Sequence, residues 1–232
     1  MFPRTSTLLF LLLLAAAPAA RPDAGPVLSA DTGWQRLDEK DGVTLFSRAR
    51  PGVDFKEFKA TGQIDAPPSV VEQVLADVSA YPDFMPFVSE SRVIGRDGAD
   101  TLTYQRLSIP FVAGRDYTVR VEHGTTQIPG GQTLYRDIWQ TANEAGPPEH
   151  RGTVRVKVNE GSWLLQPSGP AGLLTQASYQ IYTDSGGVLP AFLANHASLL
   201  IIPKVFNAVR KQTRNPKYLQ PVPPPATTAS SQ

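Results

Sequence analysis

The chain has 232 residues, with 22 basic and 21 acidic side chains, a net charge of +1 and no cysteine. That balance excludes the basic stripe that counterion release at phosphates requires, so no nucleic-acid partner is expected. Without Cys there are no disulfides, thiolate nucleophiles or Cys-based zinc sites, and with His123, His150 and His196 as the only histidines neither a metal site nor another cofactor is expected.

The first predicted element is a targeting segment. Arg4 precedes an apolar run from Leu8 to Ala17, and Ala17-Pro18-Ala19 offers the small-x-small pattern of a cleavage site. The run is well short of the ~20 residues that span a bilayer, which predicts cleavage near Ala19 and an exported protein, periplasmic or secreted. The competing reading is an uncleaved N-terminal membrane anchor. Residues 20–33, rich in Ala, Pro, Gly and Asp, read as a flexible leader. Residues 220–232, with Pro221, Pro223, Pro224 and Pro225, read as a disordered tail that cannot bury enough apolar surface to fold. Between them, 34–219 is predicted to be one domain, long enough to bury a core and enclose a cavity.

Within it, Val43 to Arg48 and Asp54 to Gly62 are β-branched and aromatic and flank Pro51-Gly52, which predicts a hairpin. Pro67, Pro68 and Ser69 then introduce Val70, Val71, Val74, Leu75 and Val78 at helical spacing, a helix that should stop before Tyr81-Pro82. Strand patterns follow at Val88 to Ile94, Thr101 to Ile109, Tyr117 to Glu122, Thr133 to Thr141, Val154 to Val158, Ser162 to Leu165 and Leu174 to Thr183. From Ser185 to Pro203 there is no Lys, Arg, Asp or Glu, and Leu189, Phe192, Leu193, Leu199, Leu200, Ile201 and Ile202 read as one apolar helix. A helix apolar on most sides needs cover on several of them. Pro203 removes a hydrogen bond and clashes with the Leu199 carbonyl, which predicts a bend between Leu199 and Lys204. Strands, helix, many strands and a last helix call for an α+β architecture, a largely antiparallel sheet curled around the final helix as a hydrophobic container.

Period-2 parity selects the wall. Tyr117, Val119, Val121 and His123 share one face, opposed by Asp116, Thr118, Arg120 and Glu122, so the first set should point inward. In the preceding strand the pattern does not separate Leu102, Tyr104 and Arg106 from Thr101, Thr103, Gln105 and Leu107; we place the former inside. An interior Arg106 is costly unless paired, so an anionic head group would suit it, and a rim salt bridge is the alternative. Trp139 and Trp163 are large enough for core or cavity wall. Phe192, Leu199 and His196 would add the helix side, His196 as a core histidine able to bond a ligand hydroxyl. Phe111 and Val112, between Pro110 and Gly114, fit either a mobile lid or a hydrophobic plug. No nucleophile–base pair stands out, so no catalytic residue is named.

Four segments carry a resemblance. They are Asp77 to Phe87, Pro110 to Tyr117, Gly152 to Val158 and Gly186 to Asn195, in order along 34–214. With them the sequence resembles a START lipid-transfer domain of the helix-grip superfamily. The resemblance implies a curved antiparallel sheet gripping a long C-terminal helix, a shorter helix pair after the third strand, a tunnel between helix and sheet, and a lid loop at Ser108 to Gly114. It also implies carriage of a lipid or other hydrophobic small molecule between membranes, with transient contact at a membrane surface and no catalysis; a monomer is expected. Steroidogenic and phosphatidylcholine-transfer members carry an interior acid near Arg106, the former a basic residue near Val121, and the latter a phosphate-reading arginine near Tyr81. None is retained here, so ligand identity does not carry over. The same superfamily includes polyketide aromatases and cyclases, whose chemistry would here fall to Tyr104, Arg106, Tyr117 and His196. Presentation of a lipid without transfer is the third reading.

Overall fold

A computed structural model describes residues 33–219 apart from Phe111. The expected signal segment (1–19), nearly all of the leader, the tail (220–232) and the Phe111 side chain of the predicted lid lie outside the described residues. The elements are β1 (Gln35–Lys40), β2 (Val43–Ala49), β3 (Lys56–Ile64), α1 (Pro68–Ala76), α2 (Tyr81–Phe84), β4 (Val88–Asp97), β5 (Asp100–Leu107), β6 (Gly114–Ile128), β7 (Gln132–Thr141), β8 (Thr153–Arg155), β9 (Val158–Ser168), β10 (Leu174–Asp184) and α3 (Ala191–Gln212). Nine strands form one path in the order β1-β2-β3-β10-β9-β7-β6-β5-β4, each antiparallel to its neighbours, and β8 pairs parallel with β6. This is the predicted α+β helix-grip arrangement, with the short helices α1 and α2 after the third strand.

Three differences from the predicted elements have simple causes. Strand β1 is exposed along its length and carries charges at both ends, so no apolar alternation marked it. Strand β6 runs on to Ile128 because its polar second half pairs with β7 beyond the end of β5. The segment expected as one strand at Val154 to Val158 breaks at Val156 and Lys157, whose N–H groups bond the Asp116 and Asp184 carbonyls instead of a continuous ladder.

Cross-strand register stacks the concave face in rows, since directly paired residues share a face. One row is Ala60, Tyr179, Trp163, Asp137 and His123; the next is Phe58, Ile181, Gly161, Trp139, Val121 and Thr101. The first is closed by aromatics: the Trp163 ring lies 4.6 Å from Tyr179 and 5.7 Å from Phe206 of α3. Val71, Val74 and Leu75 of α1 join the same core. The final helix is fastened at its C-terminal end, where Arg210 donates to the carbonyls of Gln63 (2.8 Å), Asp41 (2.6 Å) and Gly42 (3.0 Å). Gly62 permits that approach, because a Cβ there would lie 2.6 Å from the Gly42 oxygen.

Helix α3 continues through Pro203, and its burial is uneven. Ile202, Phe206 and Val209 are buried, whereas Phe192 is 69% exposed, Leu193 45% and Leu200 57%. The sequence reading put the covered part of this helix before Pro203; cover starts only near its end, at Ile202, and runs on to Val209, because Phe206 meets Trp163 and the Arg210 carbonyl cluster lies there. Phe206→Ala leaves a cavity between helix and sheet and should cost about 3–5 kcal/mol, read by urea denaturation.

Candidate functional site

The concave wall above the Trp163 row is only partly covered. Tyr117, Val121, Trp139 and Thr141 point inward by register and are half-buried, so this part of the wall is less covered than Ala60, Tyr179 and Trp163 in the row beside it. Trp139 is fixed by its indole N–H donating to Asn159 Oδ1 at 2.9 Å and by stacking 5.8 Å from Tyr179. Its ring lies across Gly161, where a Cβ would meet Trp139 Cζ2 at 2.3 Å. The Tyr117 hydroxyl donates to Gln105 Oε1 at 2.7 Å, and burial pushes the Tyr117 and Tyr179 phenols far above their usual range. Both stay neutral hydrogen-bonding groups.

Of the predicted lining, Tyr117, Val119, Val121 and Trp139 face the interior as expected, and Trp163 forms its floor. Leu199 packs half-buried against the core, whereas Phe192 and His196 are exposed on α3 and Val112 is 38% exposed. Leu102, Tyr104 and Arg106 require correction: they lie on the convex face. Thr101, Thr103 and Gln105 pair with the inward Val121, Val119 and Tyr117, so the alternate residues point away. Tyr104 is nevertheless fully buried, because that side is also covered. Its hydroxyl donates to Asp116 Oδ2 at 3.1 Å, Arg155 grips Asp116 at 2.8 and 3.2 Å, and Arg92 lies 5.1 Å over its ring. Arg106 instead faces Glu90 across the strand pair at 3.7 Å, the rim salt bridge of the alternative reading.

Phe87, just before β4, brings the end of β5 and helix α3 close together. It adopts a positive φ of 64°, its carbonyl accepts from Ser108 N–H at 2.8 Å, and the Lys204 ammonium lies 5.7 Å from its ring. Strain of this kind in a bulky residue persists only where neighbours hold it. The first half of α3 is tied down by Asn195, which donates to the Asp54 carbonyl at 3.0 Å and accepts from Lys56 N–H at 2.9 Å. A separate cleft of about 430 Å³ lies beside this end, lined in part by Val53, Phe55, Lys157, Tyr182 and Leu189. Tyr182 alternates with the inward Ile181, so this cleft is outside the concave wall.

Sequence reasoning missed a charged group at the edge of the floor. His123 Nδ1 lies 2.7 Å from Asp137 Oδ1 and 3.6 Å from Glu72 Oε1 of α1. The hydrogen bond to Asp137, then that to Glu72, pushes the imidazole up to about 10, while burial holds the Glu72 carboxyl above its usual range. Parity had placed His123 inward; what was needed in addition was the β6–β7 register, which sets Asp137 opposite it.

Residues 64–210 match the family described as polyketide cyclase / dehydrase and lipid transport, and the chain belongs to that family, with the START-type fold. It is similar to the uncharacterized protein PA1579 of Pseudomonas aeruginosa, 31% identical over 74% of this chain and 81% of that one. It is also similar to the phosphatidylcholine transfer protein of Bos taurus, 25% identical over 83% of this chain and 89% of that one. Among solved structures, a STAR-related lipid transfer protein of Xanthomonas axonopodis superposes with a TM-score of 0.68 at 23% identity, covering 78% of this chain and 99% of that one.

Gly161→Ala drives a methyl group into the Trp139 ring, so we expect a loss of about 1–3 kcal/mol in stability and a shifted tryptophan emission. The raised imidazole also gives a pH signature. A group whose pKa rises on folding stabilises fully below its unfolded value, about 6.5, and that contribution disappears as pH rises through about 10. Melting curves should therefore give wild type an advantage over His123→Gln that is largest near pH 6 and shrinks steadily towards pH 10.

Proposed function

We propose that this chain carries a hydrophobic molecule, a lipid by class, in the hollow between α3 and the concave face, and moves it between membranes without chemical change. The observation that carries the reading is the uneven burial of α3. Its second half is locked to the sheet, while its first half leaves the aromatic and aliphatic wall behind it half-covered and exposes Phe192, Leu193 and Leu200.

Magnitudes favour opening at a membrane. The two Asn195 hydrogen bonds are worth about 1 kcal/mol each once exchange with water is counted. Taking an exposed Phe or Leu side chain out of water yields roughly 1.5–3 kcal/mol. Burying Phe192 and its neighbours in a lipid surface therefore outweighs release of the Asn195 tie, and the exposed Val112 of the β5–β6 connection is a further apolar side chain that could enter it. In this reading the connection acts as a cover and the protein works as an exported monomer. A cargo of long acyl chains gains ~0.8 kcal/mol per CH₂ sheltered from water, which is the reason a carrier needs walls but no reactive group.

Acid–base chemistry of the cyclase kind is less well supported. Inside the concave face His123 is held as an imidazolium, Tyr117 and Tyr179 as neutral phenols, and Tyr104 and Arg106 lie outside it.

Native mass spectrometry of the full chain, together with movement of fluorescent phospholipid between vesicles, tests the proposal. We expect a retained adduct of lipid mass and protein-dependent transfer. Val121→Trp, which fills the half-buried wall, should slow transfer about tenfold or more while leaving circular dichroism unchanged. A wild-type protein that neither retains nor moves any lipid would refute the carrier reading, and turnover of a polyketide-like substrate would replace it with the cyclase one.

A further inference from the structure

Outside the hollow's apolar wall, one cluster combines two metal-binding chemistries. Glu72 comes from α1, His123 from β6 and Asp137 from β7, so three separate elements converge on one point. Their nearest donor atoms, one imidazole nitrogen and two carboxylate oxygens, all lie within 4.8 Å of one another. Two carboxylates against one imidazolium leave the group one negative charge in excess. A further observation concerns the acid from α1: its second oxygen, Glu72 Oε2, is shut off from solvent and has no hydrogen-bond partner. A buried carboxylate oxygen left unpaired is costly, and a cation is what relieves it.

We propose that Glu72, His123 and Asp137 form a binding site for a divalent first-row metal ion, zinc by its donor set. Zinc takes imidazole nitrogen and carboxylate oxygen at about 2.0–2.2 Å in tetrahedral geometry, which spaces neighbouring donors by about 3.4 Å. Nδ1 of His123 is at 3.6 Å from Glu72 and 2.7 Å from Asp137, spacings that bracket the one zinc requires. The ion replaces the proton on Nδ1, which passes to solvent, and its charge offsets the cost of the unpaired Glu72 Oε2 in the same step. Asp137 is nearly buried and fixes one corner, while His123 has 35% of its side chain exposed, leaving a path for entry and a fourth position for water. A mixed nitrogen and oxygen set favours zinc or a neighbouring transition metal over magnesium, which prefers oxygen alone. The site would clip α1 to the β6–β7 hairpin, so its first consequence is stability.

The test uses the full chain, stripped with chelator and titrated with zinc chloride by calorimetry, then melted with and without the metal. We expect one zinc per chain and a melting point raised by ~5 °C or more at a hundredfold excess over the dissociation constant. Magnesium chloride should leave it unmoved. Cobalt in place of zinc should give the visible absorption of a four-coordinate nitrogen–oxygen site, a signature that an ion pair alone does not produce. Because His123→Gln alters stability by itself, the quantity compared is the zinc-induced increment, and Glu72→Gln serves as the second variant. Both should lose stoichiometric binding and the cobalt spectrum. Absence of stoichiometric zinc binding to wild type, or zinc binding that persists unchanged in both variants, would overturn the site and leave the cluster as an ion-pair network.

Discussion

The stack of Trp163 on Tyr179 and of Phe206 on Trp163 is the contact on which the rest of the structure depends. It closes the sheet against the second half of α3 and, with the Arg210 ties to the β1–β2 turn and the end of β3, fixes that half of the helix in place. Everything on one side of it is solid core, including the α1 face. On the other side Asn195 ties the helix by two side-chain hydrogen bonds and Leu199 packs half-buried, while Phe192, Leu193 and Leu200 are exposed. A fully packed helix would make a stable but closed protein. In the proposed carrier, the asymmetry is what would let one end move without unfolding the other.

Polar groups follow the same division. On the convex face, Tyr104, Asp116 and Arg155 form a buried network that joins β5, β6 and β8. Removing one member of such a network leaves its partners desolvated and unpaired, which is why its role is structural. On the concave face the polar contacts of the wall are neutral: the Tyr117 hydroxyl with Gln105, and the Trp139 indole with Asn159. The formal charges gather at the edge of the floor, in His123, Asp137 and Glu72, beyond the end of β5. An apolar cargo therefore meets few groups whose desolvation would oppose its entry.

Much of this architecture was legible in the sequence because it rests on local signals. Alternation in β2, β3 and β10, the Pro-Pro-Ser start of α1 and the uncharged run before Pro203 each reflect burial of one face, and the inward set Tyr117, Val119, Val121 followed from parity alone. The errors have one physical root, which is that parity says which residues share a face but not which face is inside. For Leu102, Tyr104 and Arg106 the decision lay in pairing with β6 across a six-residue connection, and the convex face there is covered by the chain around β8, so β5 buries residues on both faces, Tyr104 on one and Thr103 and Gln105 on the other. The reading of Phe192 and His196 as lining failed for a related reason. An apolar composition marks a helix for burial, yet only the contacts of Phe206 and Arg210 decide which half the sheet reaches. The charged triad combines residues far apart in the chain, and no local pattern announces it.

Quenching of tryptophan fluorescence by lipids carrying bromine on the acyl chain tests the central claim most directly, because bromine quenches only at near contact and Trp139 forms part of the wall. The account predicts saturable quenching at one lipid per chain, largely lost in Trp139→Phe. Emission that brominated lipid leaves unchanged, in a folded protein with vesicles present, would contradict an interior that holds a guest.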